Sequence, residues 1–257
     1  MNDSSKKNPI QIKTKPLKFE LSKFFGPQIA IVSLSEDVVK ALLDLTDELL
    51  EDKQAIKWGK NLAGVIKEEV FIHKEDMIRF GVNDALENYL KSYVVNSVKI
   101  HHKHEDDFSY QSMINSAWIV SQYENEYNPQ HNHSHCQISA VLYLKVPAMK
   151  PRNIPGKRDK DGEIEFTFCQ TDSIFTTGSF VVKPKPGMCL LFPNSLFHQV
   201  YPFQGSGERR SIAFNMSYKG FKKDSGIQIA GDSVNLYNET NHADTIPWRV
   251  IEQGYHK

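Results

Sequence analysis

Apolar positions along the chain follow two regimes that meet near His104. Before that point the period is helical. From Ser35 to about Glu51, Val38, Leu42, Leu45 and Leu49 recur three or four residues apart, with Val39, Leu43 and Leu50 alongside, which predicts an amphipathic helix. Ser33 followed three positions later by Glu36 reads as its capping box. A second helical stretch runs from about Glu75 to Val98, with Ile78, Val82, Leu86, Tyr89 and Tyr93 on one face. Gly81 is its weak point. Each helix has a single apolar face, so each is expected to cover one side of something larger.

After His104 the runs shorten. Ala117–Tyr123, Ile138–Val146, Ile164–Phe168, Phe180–Lys183, Met188–Phe192 and Ser211–Ser217 are rich in β-branched and aromatic residues. Turn formers separate them: Asn128-Pro129, Pro155-Gly156, Asp161-Gly162, Pro186-Gly187 and Gly205-Ser206-Gly207. Short strands at this spacing predict a jelly roll or sandwich rather than βαβ units. The expected fold class is mainly β with flanking helices (α+β). Its single domain divides into an extended arm (1–24), a helical bracing region (25–110), a jelly-roll core (111–220) and a C-terminal extension (221–257).

Two strands carry further information through their alternation. Over Arg209–Met216, Arg209, Ser211, Ala213 and Asn215 share one face, and Arg210, Ile212, Phe214 and Met216 the other. Over Ile138–Leu144, Ser139, Val141 and Tyr143 oppose Ile138, Ala140, Leu142 and Leu144. The apolar faces are expected to pack on helices or the sheet interior, and the mixed faces to line a cavity.

Composition narrows the function classes. The 31 Lys plus Arg residues balance 31 Asp plus Glu, so net charge does not indicate nucleic acid as a partner. Cys136, Cys169 and Cys189 are few, odd in number and far apart, which suggests neither a disulfide framework nor a zinc ribbon. The N-terminal residues lack the apolar run of a signal peptide, and no stretch approaches membrane-spanning length. A cytoplasmic protein without a membrane partner is the expectation.

The chemistry concentrates in histidines. His131, His133 and His135 alternate in NPQHNHSHCQ, and on an extended backbone all three would point the same way. Two imidazoles at i and i+2 can chelate one metal, with His198 in GMCLLFPNSLFHQVYP as the candidate third ligand. A His-x-His pair by itself equally suits surface hydrogen bonding, and His101, His102 and His104 read as solvated loop residues. Eleven positions after His198 stands Arg209, whose guanidinium can hold a carboxylate through two parallel hydrogen bonds, with Ser211 adding a third on the same face. The bland alternative pairs Arg209 with a structural acid and leaves Arg210 as the exposed partner of a surface one.

Taken together, HNH at 131–133, SAVLYL at 139–144, PKPG at 184–187, FPN at 192–194, HQV at 198–200 and RRSIAFN at 209–215 resemble the Fe(II)/2-oxoglutarate oxygenase superfamily. The nearer resemblance is to a group of 2-oxoglutarate oxygenases from bacteria and phages, and it covers about Trp118 to Ser217. It implies a double-stranded β-helix braced by N-terminal helices. It also implies Fe(II) on His131, His133 and His198, and 2-oxoglutarate held by Arg209 and Ser211, with Tyr123 and Tyr143 as further donors. His135 and Asn215 would support the ligands from behind. The implied reaction consumes 2-oxoglutarate and O2, yields succinate and carbon dioxide, and hydroxylates an unknown substrate.

One departure stands out. Where most of the superfamily has a carboxylate, this chain has His133. Three neutral imidazoles leave Fe(II) its full dication charge for a dianionic cosubstrate to neutralise. Pairing His133 with His135 fits the spacing equally well, and the distance to SAVLYL in the family pattern favours 131 with 133. Two other readings remain open: a cupin-like three-histidine protein binding Zn, Ni or Fe without 2-oxoglutarate, and a catalytically silent jelly-roll binding module. The polar segment 145–163 reads either as a lip over the site or as a tolerated loop insertion.

Overall fold

A computed structural model describes residues 19–23, 26–101, 108–168, 178–222 and 228–229. Residues 1–18 of the expected arm (1–24), His102, His104, Cys169 and most of the C-terminal extension lie outside the described residues. Helix α1 (Glu36–Glu51) forms where the spacing predicts and buries Val38, Leu42, Leu45 and Leu49. Each such burial contributes about 1.5–3 kcal/mol. Its N-cap is Ser35, with no side-chain cap, so the expected capping box does not form; Ser33 ends a strand instead. The second helical stretch is two helices, α2 (Lys74–Arg79) and α3 (Asn83–His101). Gly81 between them has φ 71°, a left-handed conformation that ends one helix and re-aims the next. Ile78 consequently faces outward while Val82, Leu86, Tyr89 and Tyr93 stay buried.

The strands form two antiparallel sheets. In the larger, β1 (Phe19–Lys23), β2 (Gln28–Ser33), β9 (Met188–Pro193), β6 (Ile138–Lys145), β11 (Arg209–Lys222), β4 (Phe108–Gln122) and β3 (Glu68–Ile72) lie in that order. The short β12 (Gln228–Ile229) also pairs with β11. The smaller sheet runs β5 (Asn128–His131), β10 (Phe197–Val200), β7 (Ile164–Thr167) and β8 (Ser179–Val182). Strands β4 to β11 thus pass between the sheets in the order of a double-stranded β-helix, with β7 and β8 paired as neighbours in the smaller one, and the fold is mainly β with few helices. Strands β1, β2 and β3 extend the larger sheet from sequence expected as arm and helical brace. A turn at 194–196 sets β10 apart from β9 and places His198 in the other sheet.

The two faces of the larger sheet separate as alternation requires. Ile138, Ala140, Leu142, Leu144, Ile212, Phe214 and Met216 join the α1 and α3 side chains in one core. Tyr143, Leu190 and Phe192 pack with Ile164 and Phe166 of the smaller sheet in another. Arg210, expected to be exposed, is 5% exposed on the helix side. It pairs with Glu208 at 2.6 Å and with Asp47 of α1, and donates to Thr46 Oγ1 at 2.9 Å. Removing it takes the nearest cation from half-buried Glu208, which keeps Lys145 Nζ at 3.3 Å and Ser121 Oγ at 2.7 Å. Arg210→Ala is therefore expected to lower unfolding stability by about 1–3 kcal/mol, read as a lowered urea midpoint, while the cavity-side residues keep their places.

Candidate metal and anion site

His131 and His198 are cross-strand partners on β5 and β10. His133 follows just after β5, where its N–H donates to Asn194 O at 3.0 Å and its carbonyl accepts from Asn194 Nδ2 at 3.1 Å. Asn194, the last residue of the FPN motif, thus clamps the loop carrying His133. The extended backbone expected through all three alternating histidines ends before His135, which has φ 57°. That left-handed turn leaves His135 exposed on the cavity rim and outside the cluster. The geometry brings together His131, His133 and His198, whose ligand-type atoms all lie within 4.8 Å of one another.

Each of the three imidazoles is oriented by an oxygen behind it. His131 Nδ1 meets Pro129 O at 2.7 Å, His133 Nδ1 meets Asn215 Oδ1 at 2.7 Å, and His198 Nδ1 meets Leu196 O at 3.0 Å. Carbonyl oxygens accept, so each Nδ1 carries the proton and each Nε2 presents a lone pair. Two of those lone-pair atoms, on His133 and His198, stand 3.3 Å apart. Acceptors converging this closely fit a shared cation. Burial lowers the pKa of all three, His133 to about 4 and His198 well below its ordinary value, keeping them neutral as metal ligands must be. Trp118 stacks on His133 at 5.9 Å, and Phe192 meets His198 edge-on at 4.8 Å.

The same cavity, about 470 Å³, reaches from the histidines to Arg209, and Ser211, Ala213 and Asn215 line it between them. Arg209 is 1% exposed. Its Nε donates to Gly162 O at 3.2 Å and its Nη1 to Gln122 Oε1 at 3.0 Å. Neither acceptor carries charge, and no ion pair among the described residues reaches Arg209, so the structural acid considered above does not appear there. Its Nη2 has no hydrogen-bond partner. Tyr143 lies fully buried with its ring 4.9 Å from the guanidinium carbon, and its hydroxyl also lacks a partner. Burial pushes that phenol up to about 12 despite the nearby cation. A buried cation and two unanswered donors fit an anion supplied from outside the chain.

Tyr123 does not share this setting. It is 47% exposed at the end of β4 and does not line the cavity. The lip reading is also corrected. Segment 145–163 contributes no lining residue. It is tied to the 202–204 turn through Lys150 N to Gln204 O at 2.7 Å and Gln204 N to Asp161 Oδ2 at 2.9 Å. It closes the Arg209 end of the barrel, supplying the Gly162 carbonyl; its two arginines pair internally, Arg152 with Asp161 and Arg158 with Glu163, and Lys145 and Lys160 pair with acids outside it. The sequence reading missed Glu69 and Trp58, which line the cavity from the region assigned to bracing. The only signal available was the short apolar run around Val70.

No helix among the described residues is long and apolar enough to cross a membrane. No curated protein matches the chain. Among solved structures it is similar to a prolyl-4-hydroxylase from Pseudomonas putida, at 16% identity over 73% of this chain and 91% of that one, with a TM-score of 0.48. It is similar to an oxidoreductase of the 2OG-Fe(II) oxygenase family from Burkholderia pseudomallei, at 14% identity over 73% and 84%, with a TM-score of 0.44. A third is the non-heme alpha-ketoglutarate-dependent epimerase SnoN of nogalamycin biosynthesis, at 14% identity over 77% and 82%, with a TM-score of 0.48. Residues 116–215, which hold the three clustered histidines, Arg209 and Asn215, match the family described as "Putative 2OG-Fe(II) oxygenase".

Proposed function

We propose that the chain binds Fe(II) through His131, His133 and His198 and 2-oxoglutarate through Arg209, and that it hydroxylates a C–H bond of its substrate. One observation carries the reading. Three inward Nε2 lone pairs and the unpartnered Nη2 of Arg209 share a single cavity. A metal with no anion would leave the Arg209 donor and the Tyr143 hydroxyl unanswered, and this disfavours the cupin-like reading. When bound together with O2, Fe(II) and 2-oxoglutarate supply the oxidant for a C–H bond.

The chain's own residues do the positioning. Three neutral imidazoles leave open positions and a full positive charge, which suits a dianionic cosubstrate. Arg209 offers its free Nη2 to the distal carboxylate, with the Tyr143 hydroxyl beside it and Ser211 two residues along the same face. Asn215 fixes the His133 tautomer through Oδ1, so the ring keeps its lone pair inward. Phe166 and Phe192 at His198, and Trp118 at His133, shield the ligand set from water.

Two outcomes test this. Anaerobic Fe(II) titration with 2-oxoglutarate should give the visible charge-transfer band of the chelate. Arg209→Met should require about 10–100-fold more 2-oxoglutarate for the same band, since a charge-assisted contact contributes about 1.5–3 kcal/mol and 1.4 kcal/mol is tenfold. Absence of the band, or indifference to Arg209→Met, would sink the assignment. Asn215→Leu should weaken Fe(II) binding about 10–100-fold without unfolding the chain, measured by metal titration beside circular dichroism.

A further inference from the structure

A second buried charge lines the cavity and takes no part in the scheme above. Strand β3 pairs with the outer edge of β4, Glu69 against Val120 and Phe71 against Trp118. Val70 and Ile72 join the helix-side core, whereas Phe71 packs with Trp58, Trp118 and Val120 on the cavity side. Glu69 shares the face of Phe71 by alternation and lines the cavity. It is 2% exposed, its Oε2 has no hydrogen-bond partner, and no ion pair among the described residues reaches it. Lys60, exposed at the rim of the same cavity, makes none with it.

The surroundings define the missing partner. A Cβ on Gly64 would stand 2.4 Å from Asn128 Oδ1 and 3.2 Å from Glu69 Oε1. Two acceptor oxygens therefore flank one point that glycine leaves clear. The wall beside them is aromatic: Trp58 and Phe71 lie 4.7 Å apart, Phe71 is the cross-strand partner of Trp118, and Trp118 stacks on His133. Acceptors without donors, next to the faces of aromatic rings, fit a cationic nitrogen. An unpaired carboxylate held out of water otherwise only destabilises the fold. Burial and the charge of Glu126 already push its pKa up to about 7, the response of a carboxyl lacking a counter-ion. Position 69 lies outside the matched segment 116–215, so the family likeness does not assign it.

We propose that Glu69 is the specificity-determining residue for the oxidised substrate, receiving a protonated amine or guanidinium between the Trp58 and Trp118 walls while the adjoining carbon chain reaches toward the histidines. The inference rests on the oxygenase reading for the word oxidised, and on Glu69 alone for the cation. The test titrates n-hexylammonium and 1-hexanol, equal in length and different in charge, into the full chain without metal, following tryptophan emission and ligand saturation-transfer NMR. The ammonium should bind at least tenfold more tightly than the alcohol. Glu69→Gln should erase that preference while leaving the thermal midpoint unchanged or higher, and leaving the Fe(II)/2-oxoglutarate band intact. Equal binding of the two probes, a preference that survives Glu69→Gln, or a lowered thermal midpoint in that variant would overturn the proposal. A missing chelate band in the wild type, with the ammonium preference present, would overturn the oxygenase reading and retain the cation site.

Discussion

Strand β11 cannot turn one side chain toward the helices without turning its neighbour into the cavity. That period-two constraint organises the molecule. It sends Ile212, Phe214 and Met216 into the helix-side core, and Arg209, Ser211, Ala213 and Asn215 toward the site. The adjacent arginines show it most plainly. Arg210 is neutralised by Glu208 and Asp47, whereas Arg209 meets only neutral acceptors. A slip of one residue would exchange the two, turning Arg209 against α1 and Arg210 into the cavity. The pairing of β11 with β4 along its whole length, and with β6 over Arg210–Met216, resists such a slip.

Small departures from regular pairing then shape the metal end. The β11–β4 ladder shifts register beside Asn215, skipping Asn115. Asn115 Nδ2 reaches His135 O and Ser217 Oγ at 3.2 and 2.7 Å, and so holds the loop that follows His133. A bulge at a sheet that lines a site re-aims side chains in this way. Together with the Asn194 clamp on His133, it gives the histidine loop order that strand pairing alone does not supply. The left-handed turn at His135 settles which pair of the three alternating histidines faces His198.

The cavity holds a charge of each sign with no ion-pair partner among the described residues, Arg209 and Glu69. Both are almost completely buried. Structural burial favours paired charges because desolvation is otherwise uncompensated, and Arg210 follows that rule. Sites that await a ligand depart from it. On this view the cavity is divided by function, with the anion at the Arg209 end, the metal at the three histidines and the cation beneath the Trp58 loop.

Much of the fold was legible in the sequence, because periodicity reports burial directly. The α1 stripe, the presence of six strands and the two-faced character of β6 and β11 follow from spacing alone, although β4 and β11 run about twice the length of the apolar runs that mark them. So does the grouping of Arg209, Ser211 and Asn215, since alternation on one strand needs no tertiary information. The break at Gly81, the separate strand β10 and the added strands β1 to β3 depended on how segments pair, which local pattern does not encode. The same holds for the site. His131, His133 and His198 could be named from motif spacing, but the choice between His133 and His135 turned on one backbone dihedral. Glu69 was invisible as chemistry, because a Glu in a short apolar run looks like a solvated position. Only the pairing of β3 onto β4 placed that carboxyl inside the barrel without a partner.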